Sequence, residues 1–131
     1  MEDEIIETIK NTTDIDLIYI FGSYGTERYN FDSDIDIAIF SNKKIELEIL
    51  KKIKWELIEI TENEIDLIDL NNCGLVIKKE ILSKGRLIYT KDKNVKNQFE
   101  YRVFSLYGQY IEDIRIIKEK IKERGKILCK K

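Results

Sequence analysis

The sequence predicts an α/β (α+β) domain that ends in one long helix. Three observations carry this. Short β-branched runs, such as 15–21 and 34–40, alternate with longer segments whose apolar residues recur every three or four positions. The chain has 131 residues, 43% hydrophobic and 37% charged, which suits one domain with its own core and hardly two. Residues 95–124 keep a helical period without a break.

The elements follow in order. Glu2 to Lys10 reads as a helix with Ile5, Ile6 and Ile9 on one side. Residues 15–21, IDLIYIF, read as a buried strand ended by Gly22, and 34–40 as a second strand. Ser41 or Asn42 is placed to cap a helix from about Lys43 to Ile60, whose Leu50, Ile53, Leu57 and Ile60 share a face. Residues 64–70, EIDLIDL, form a third strand. CGLVIKKEILSKG is a short helix stopped by Gly85, and RLIYT a fourth strand.

The last helix, about Val95 to Arg124, would be roughly 45 Å long at 1.5 Å per residue. Phe99, Val103, Leu106, Tyr110, Ile114, Ile117 and Ile121 make one stripe; Tyr101, Phe104, Tyr107 and Ile111 make a second. A globule of this size is only about 30 Å across. Part of the helix must therefore overhang or pack on another chain.

Composition excludes several chemistries. There is no histidine, so neither a Ser-His-Asp triad nor a Cys/His zinc site is available. Cys73 and Cys129 lack CxxC spacing and are expected to be free, reduced thiols. No apolar run is long enough to span a bilayer, and the acidic start Met1-Glu2-Asp3-Glu4 is not a signal peptide, so a cytoplasmic location is expected. Net charge is -2 but uneven: residues 1–70 carry 18 acidic and 7 basic side chains, and 71–131 carry 7 and 16. The basic half could meet an acidic partner or RNA, though a solvated helix face is the simpler account.

The chemistry concentrates in FGSYGTERYNFDSDIDIAIF, residues 21–40. Asp-x-Asp occurs three times, as Asp14/Asp16, Asp32/Asp34 and Asp34/Asp36. Asp34 and Asp36 stand apart from the first pair because they follow a glycine turn and lie two apart on a strand, so both leave the same face. Ile35, Ile37 and Ile39 fill the opposite face and fix that register. Adjacent, partly buried carboxylates raise each other's pKa unless a cation neutralises them, and such hard oxygen ligands suit Mg²⁺ or Mn²⁺. Gly22-Ser23 supplies a phosphate cradle: the glycine permits close backbone approach, and free N–H groups with the Ser23 hydroxyl can bind phosphate. A third carboxylate is expected from 64–70. Asp66 and Asp69 point to opposite faces there, so only one can join the site.

Gly22-Ser23, ten residues, then Asp34-Ile35-Asp36 resembles the signature of the DNA polymerase beta-type nucleotidyltransferase superfamily. The length, the DLIDL strand, EILSKGRLIYT and the tyrosine-rich final helix resemble its minimal (MNT) branch, which includes the MntA-type antitoxins paired with HEPN toxins. The resemblance covers nearly the whole chain, residues 1–131 as one MNT domain. It implies a nucleotidyltransferase fold, with a mixed β-sheet flanked by helices. It implies that Gly22 and Ser23 bind phosphate, that Asp34 and Asp36 ligate two Mg²⁺ ions, and that Asp66 is the third carboxylate. The implied reaction is AMP transfer from ATP to a tyrosine hydroxyl of a HEPN RNase toxin, in a hetero-oligomer without direct nucleic-acid binding. Non-catalytic toxin blocking and small-molecule nucleotidyl transfer are the alternatives. One departure is local: relatives carry Ala-Arg-Gly where this chain has Gly25-Thr26-Glu27, with Arg28 two places later.

Overall fold

The computed structural model describes residues 1–22 and 34–129, which form four helices and four strands. In chain order these are α1 (Glu2–Thr12), β1 (Leu17–Phe21), β2 (Ile35–Phe40), α2 (Leu47–Thr61), β3 (Ile65–Asp69), α3 (Leu75–Lys84), β4 (Arg86–Thr90) and α4 (Lys93–Cys129). The strands make one mixed sheet in the order β3-β2-β1-β4. β1 pairs antiparallel with β2 and β4, while β2 and β3 run parallel. The parallel pair requires a crossover, and α2 supplies it.

The period of two along each strand divides the side chains between two cores. On one face Ile18, Ile20, Ile35, Ile37, Ile39 and Ile65 pack with Ile5 and Ile9 of α1 and with Ile53 and Leu57 of α2. On the other face Leu17, Tyr19 and Ala38 pack with Leu70 and with Ile81 of α3, joined by Phe40 and by Phe99 of α4. Phe40 and Phe99 stack with ring centroids 4.3 Å apart. The Tyr19 hydroxyl donates to Glu100 Oε1 at 2.9 Å, which ties α4 to the sheet. Burial, and then this carboxylate, push the Tyr19 phenol far above its ordinary range.

Several boundaries differ from the sequence reading. α2 begins at Leu47, not near Lys43, and neither Ser41 nor Asn42 caps it: the Ser41 hydroxyl accepts the Lys43 N–H at 3.1 Å and closes a turn instead. Ile60 is 37% exposed, and Thr61 takes the inward place, its hydroxyl bonded to the Leu57 carbonyl at 2.7 Å. The second strand starts at Ile35, one residue after Asp34. α3 does end before Gly85, where a Cβ would lie 2.5 Å from the Ile81 carbonyl and 3.3 Å from that of Ile20. Only glycine lets the last turn of α3 settle on β1 this closely.

α4 is longer than expected, 37 residues and about 55 Å at helical rise. Among the described residues of its first stripe, Val103 is buried and Phe99 and Ile114 are half-buried. Leu106, Tyr110, Ile117 and Ile121 of the same stripe are exposed, as are Tyr101, Phe104 and Ile111 of the second. Tyr107 is half-buried beneath the Lys79 ammonium, 5.0 Å from its ring centroid. Among the described residues no helix is long and apolar enough to cross a membrane.

Candidate active site

Asp36, Ala38 and Phe40 leave β2 on the face covered by α3 and α4, because Ile35, Ile37 and Ile39 occupy the other. The parallel register sets Asp36 directly beside Asp66 of β3. The antiparallel register sets Phe21 beside Asp36, so the chain leaves β1 at Gly22 next to the same carboxylate. Asp34 lies just before β2 and is exposed. Asp34, Asp36 and Asp66 are thus gathered at one end of one sheet face. Asp36 bears the electrostatic consequence: burial, then the charges of Asp66 and Asp34, hold its pKa above the usual carboxylate value.

Gly22 has φ +76, a left-handed conformation that L side chains rarely adopt. A Cβ there would collide with Asp36 Oδ2. The glycine is therefore needed twice, for the turn and for the space the carboxylate fills. Ser23, its partner in the sequence motif, and Arg28 lie outside the described residues.

The other aspartates have structural work. Asp69 is buried; its Oδ1 accepts the Asn71 N–H and its Oδ2 the Asn72 side-chain amide, both at 3.0 Å. It locks the turn after β3 and lies three positions from Asp66, on the opposite parity of the strand. Asp16 accepts the Asn42 N–H at 2.8 Å, and Asp14 pairs with Lys91 at 2.9 Å, which holds its carboxyl below the usual range. The sequence carried a signal for Asp69: Asp-x-Asn-Asn after a strand is a common turn pattern.

The donor set fits a hard divalent cation, since it is all carboxylate and carries repulsion that such a cation would relieve. Among the described residues no three acidic or thiol side chains converge tightly enough to hold an ion in the arrangement present.

A half-buried aspartate flanked by two more, against a glycine turn on a mixed sheet, is an arrangement suited to phosphoryl chemistry. Residues 3–94 match the family model described as Polymerase beta, Nucleotidyltransferase. The chain belongs to the polymerase beta nucleotidyltransferase family. This nucleotidyltransferase is 25% identical over 107 residues to the protein adenylyltransferase MntA of Shewanella oneidensis, covering 81% of this chain and 76% of that protein. It is 25% identical over 97 residues to the MntA of Aphanizomenon flos-aquae, covering 66% and 65%. Its fold matches a chain of a toxin–antitoxin complex with AMP-PNP at TM-score 0.79, 22% identity, 92% of this chain and 97% of that one. It also matches a chain of the tri-AMPylated Shewanella oneidensis HEPN toxin in complex with MNT antitoxin, at TM-score 0.74, 21% identity, 92% and 94% coverage.

Proposed function

We propose that this nucleotidyltransferase is an antitoxin that transfers AMP from ATP to a tyrosine hydroxyl of a HEPN-domain RNase toxin and so silences it. The observation that carries the reading is Asp36, half-buried at the β2 start with Asp66 in register beside it, Asp34 adjacent and the Gly22 turn against its carboxylate. The protein adenylyltransferase relatives and the toxin–antitoxin structural neighbours supply the acceptor class.

In this reading Asp34, Asp36 and Asp66 are the catalytic carboxylates and would hold two Mg²⁺ ions. Bound there, the ions would neutralise a triphosphate and lower the pKa of the acceptor hydroxyl. Gly22 keeps the backbone clear of the Asp36 carboxylate, and Ser23 contributes a hydroxyl and N–H to phosphate. Asp36 presents its carboxylate from a strand fixed on both sides, so little reorganisation is needed at the moment of reaction. The tyrosine hydroxyl loses its proton, its oxygen bonds to the α-phosphorus of ATP, and pyrophosphate leaves. Residues 1–131 act as one domain, working in the cytoplasm as part of a hetero-oligomer.

The test is transfer itself. The protein is incubated with α-labelled ATP, Mg²⁺ and its HEPN partner, and the label is located by peptide mapping. Labelled toxin tyrosine, lost with Asp34→Asn/Asp36→Asn, is expected. Label that persists at the wild-type rate in the double variant would refute the site.

A further inference from the structure

The sheet face that carries Asp36 also carries Phe40, four residues and about 13 Å further along β2. There the Phe40–Phe99 stack forms the floor of a groove of about 240 Å³, with Leu75 of α3 and Leu106 of α4 in its walls. Lys78 and Arg102 stand at the same groove, and neither has a carboxylate partner among the described residues. Six other cations have carboxylate partners, among them Lys84 with Glu80, Lys91 with Asp14, Lys96 with Glu100, and Arg115 with Glu112 and Glu119; what sets Lys78 and Arg102 apart is their place at an apolar groove. Leu106, 52% exposed, continues the groove onto the uncovered α4 stripe at Tyr110 and Ile117.

An apolar floor beside two unmatched cations selects for an apolar side chain with acid next to it. We infer that this groove and the adjoining stripe of α4 dock the protein acceptor, through an amphipathic segment whose apolar ridge is flanked by carboxylates. The inference rests on the reading above, in which that acceptor is the HEPN toxin. Groove and active site share one sheet face, so a toxin seated at the groove can reach the site with a tyrosine-bearing loop. Docking and chemistry are then separable: the groove sets affinity for the protein, and the carboxylates set turnover.

The experiment compares wild type with Lys78→Glu/Arg102→Glu and, separately, Leu106→Asp. All three side chains are partly or largely exposed, so the core is untouched. Toxin binding is measured by calorimetry at low and high salt, AMP transfer as kcat and KM for toxin, and nucleotide binding with AMP-PNP. Each variant is expected to weaken toxin affinity and raise KM on the order of tenfold or more, with kcat and AMP-PNP affinity within about twofold. The charge-reversal effect should shrink at high salt. Unchanged KM and affinity in both variants would overturn the groove while leaving adenylyl transfer standing. Toxin binding without any transfer in the wild type would overturn the catalytic reading and leave the groove standing. Self-association of the chain that the variants abolish, with toxin binding intact, would assign the groove to a second copy and overturn the inference.

Discussion

Asp36→Asn is expected to stabilise the protein when divalent metal is absent. In-register neighbours on paired strands lie about 4.8 Å apart, so Asp36 and Asp66 hold two like charges at roughly 5 Å. At an effective dielectric of about 40–80, suited to a half-exposed pair, Coulomb repulsion is about 1 kcal/mol. Salt screening trims this and Asp34 adds to it, so about 1 kcal/mol remains the working figure. For a chain of this length that is a rise in Tm of about 3–4 °C. The assay is urea and thermal unfolding in EDTA, repeated with Mg²⁺. Wild type should gain about 1.4 kcal/mol at Mg²⁺ ten times its dissociation constant, and the variant less, so the order of stability narrows or inverts. The pH dependence follows from the raised native pKa of Asp36. The native state binds that proton more tightly than the unfolded chain does. Wild-type stability therefore falls as pH rises from about 3.9 through the raised native value, and the gap to Asp36→Asn opens over that window. A variant less stable than wild type in EDTA at neutral pH, or a gap equal at pH 3.5 and pH 7, would refute the reasoning.

Asp66→Asn should lower kcat for AMP transfer on the order of a hundredfold or more, since preorganised charge dominates such sites, while in EDTA it should gain up to about 1 kcal/mol from the same relieved repulsion. Asp69→Ala should do the reverse: it strips the acceptor from the Asn71 N–H and the Asn72 amide, costing about 1–3 kcal/mol in urea unfolding, with kcat retained. Gly22→Ala should cost about 1–2 kcal/mol for its left-handed backbone and, by displacing the Asp36 carboxylate, reduce kcat far more than that loss of stability explains. Chain truncated after Tyr110 should keep its near-ultraviolet spectrum and melting cooperativity, because Val103 is the last fully buried α4 residue among those described, yet bind toxin more weakly.

Much of this was legible in the residues. Alternating isoleucines announce β2 and fix which side Asp36 faces, and β-branched runs announce the other strands. Strand parity alone leaves the choice between Asp66 and Asp69 open, because it says only that they face apart, and the resemblance decides for Asp66. It takes the β2–β3 register to set Asp66 beside Asp36, and the turn at Asn71 and Asn72 to occupy Asp69. Register between strands is a tertiary property with no local signal in a chain this acidic. The start of α2 misled for a similar reason: Ser41 has cap chemistry, but its hydroxyl finds a nearer N–H at Lys43. The α4 stripe looked continuous because periodicity records a helix face and not where the domain beneath it ends. Lys78 and Arg102 gave no sequence signal, since they meet only across α3 and α4.

The two faces of the sheet divide the labour unequally. The face under α1 and α2 is nearly all isoleucine and is closed by two helices. That face can carry most of the stability, at about 1.5–3 kcal/mol for each large side chain fully buried. The opposite face is sealed only in its middle, where Leu17, Tyr19, Ala38 and Ile81 meet. Its two ends are left open, with three carboxylates at one and the Phe40–Phe99 groove at the other. A chain that must hold charges together and also receive a partner cannot bury everything, because each of those features is favourable only when occupied. A compact, isoleucine-rich core on one side is what allows the other side to stay incompletely satisfied. The same partition explains why α4 runs past the domain: the sheet it crosses needs only its first turns, and the remaining length is surface whose stability depends on what binds it.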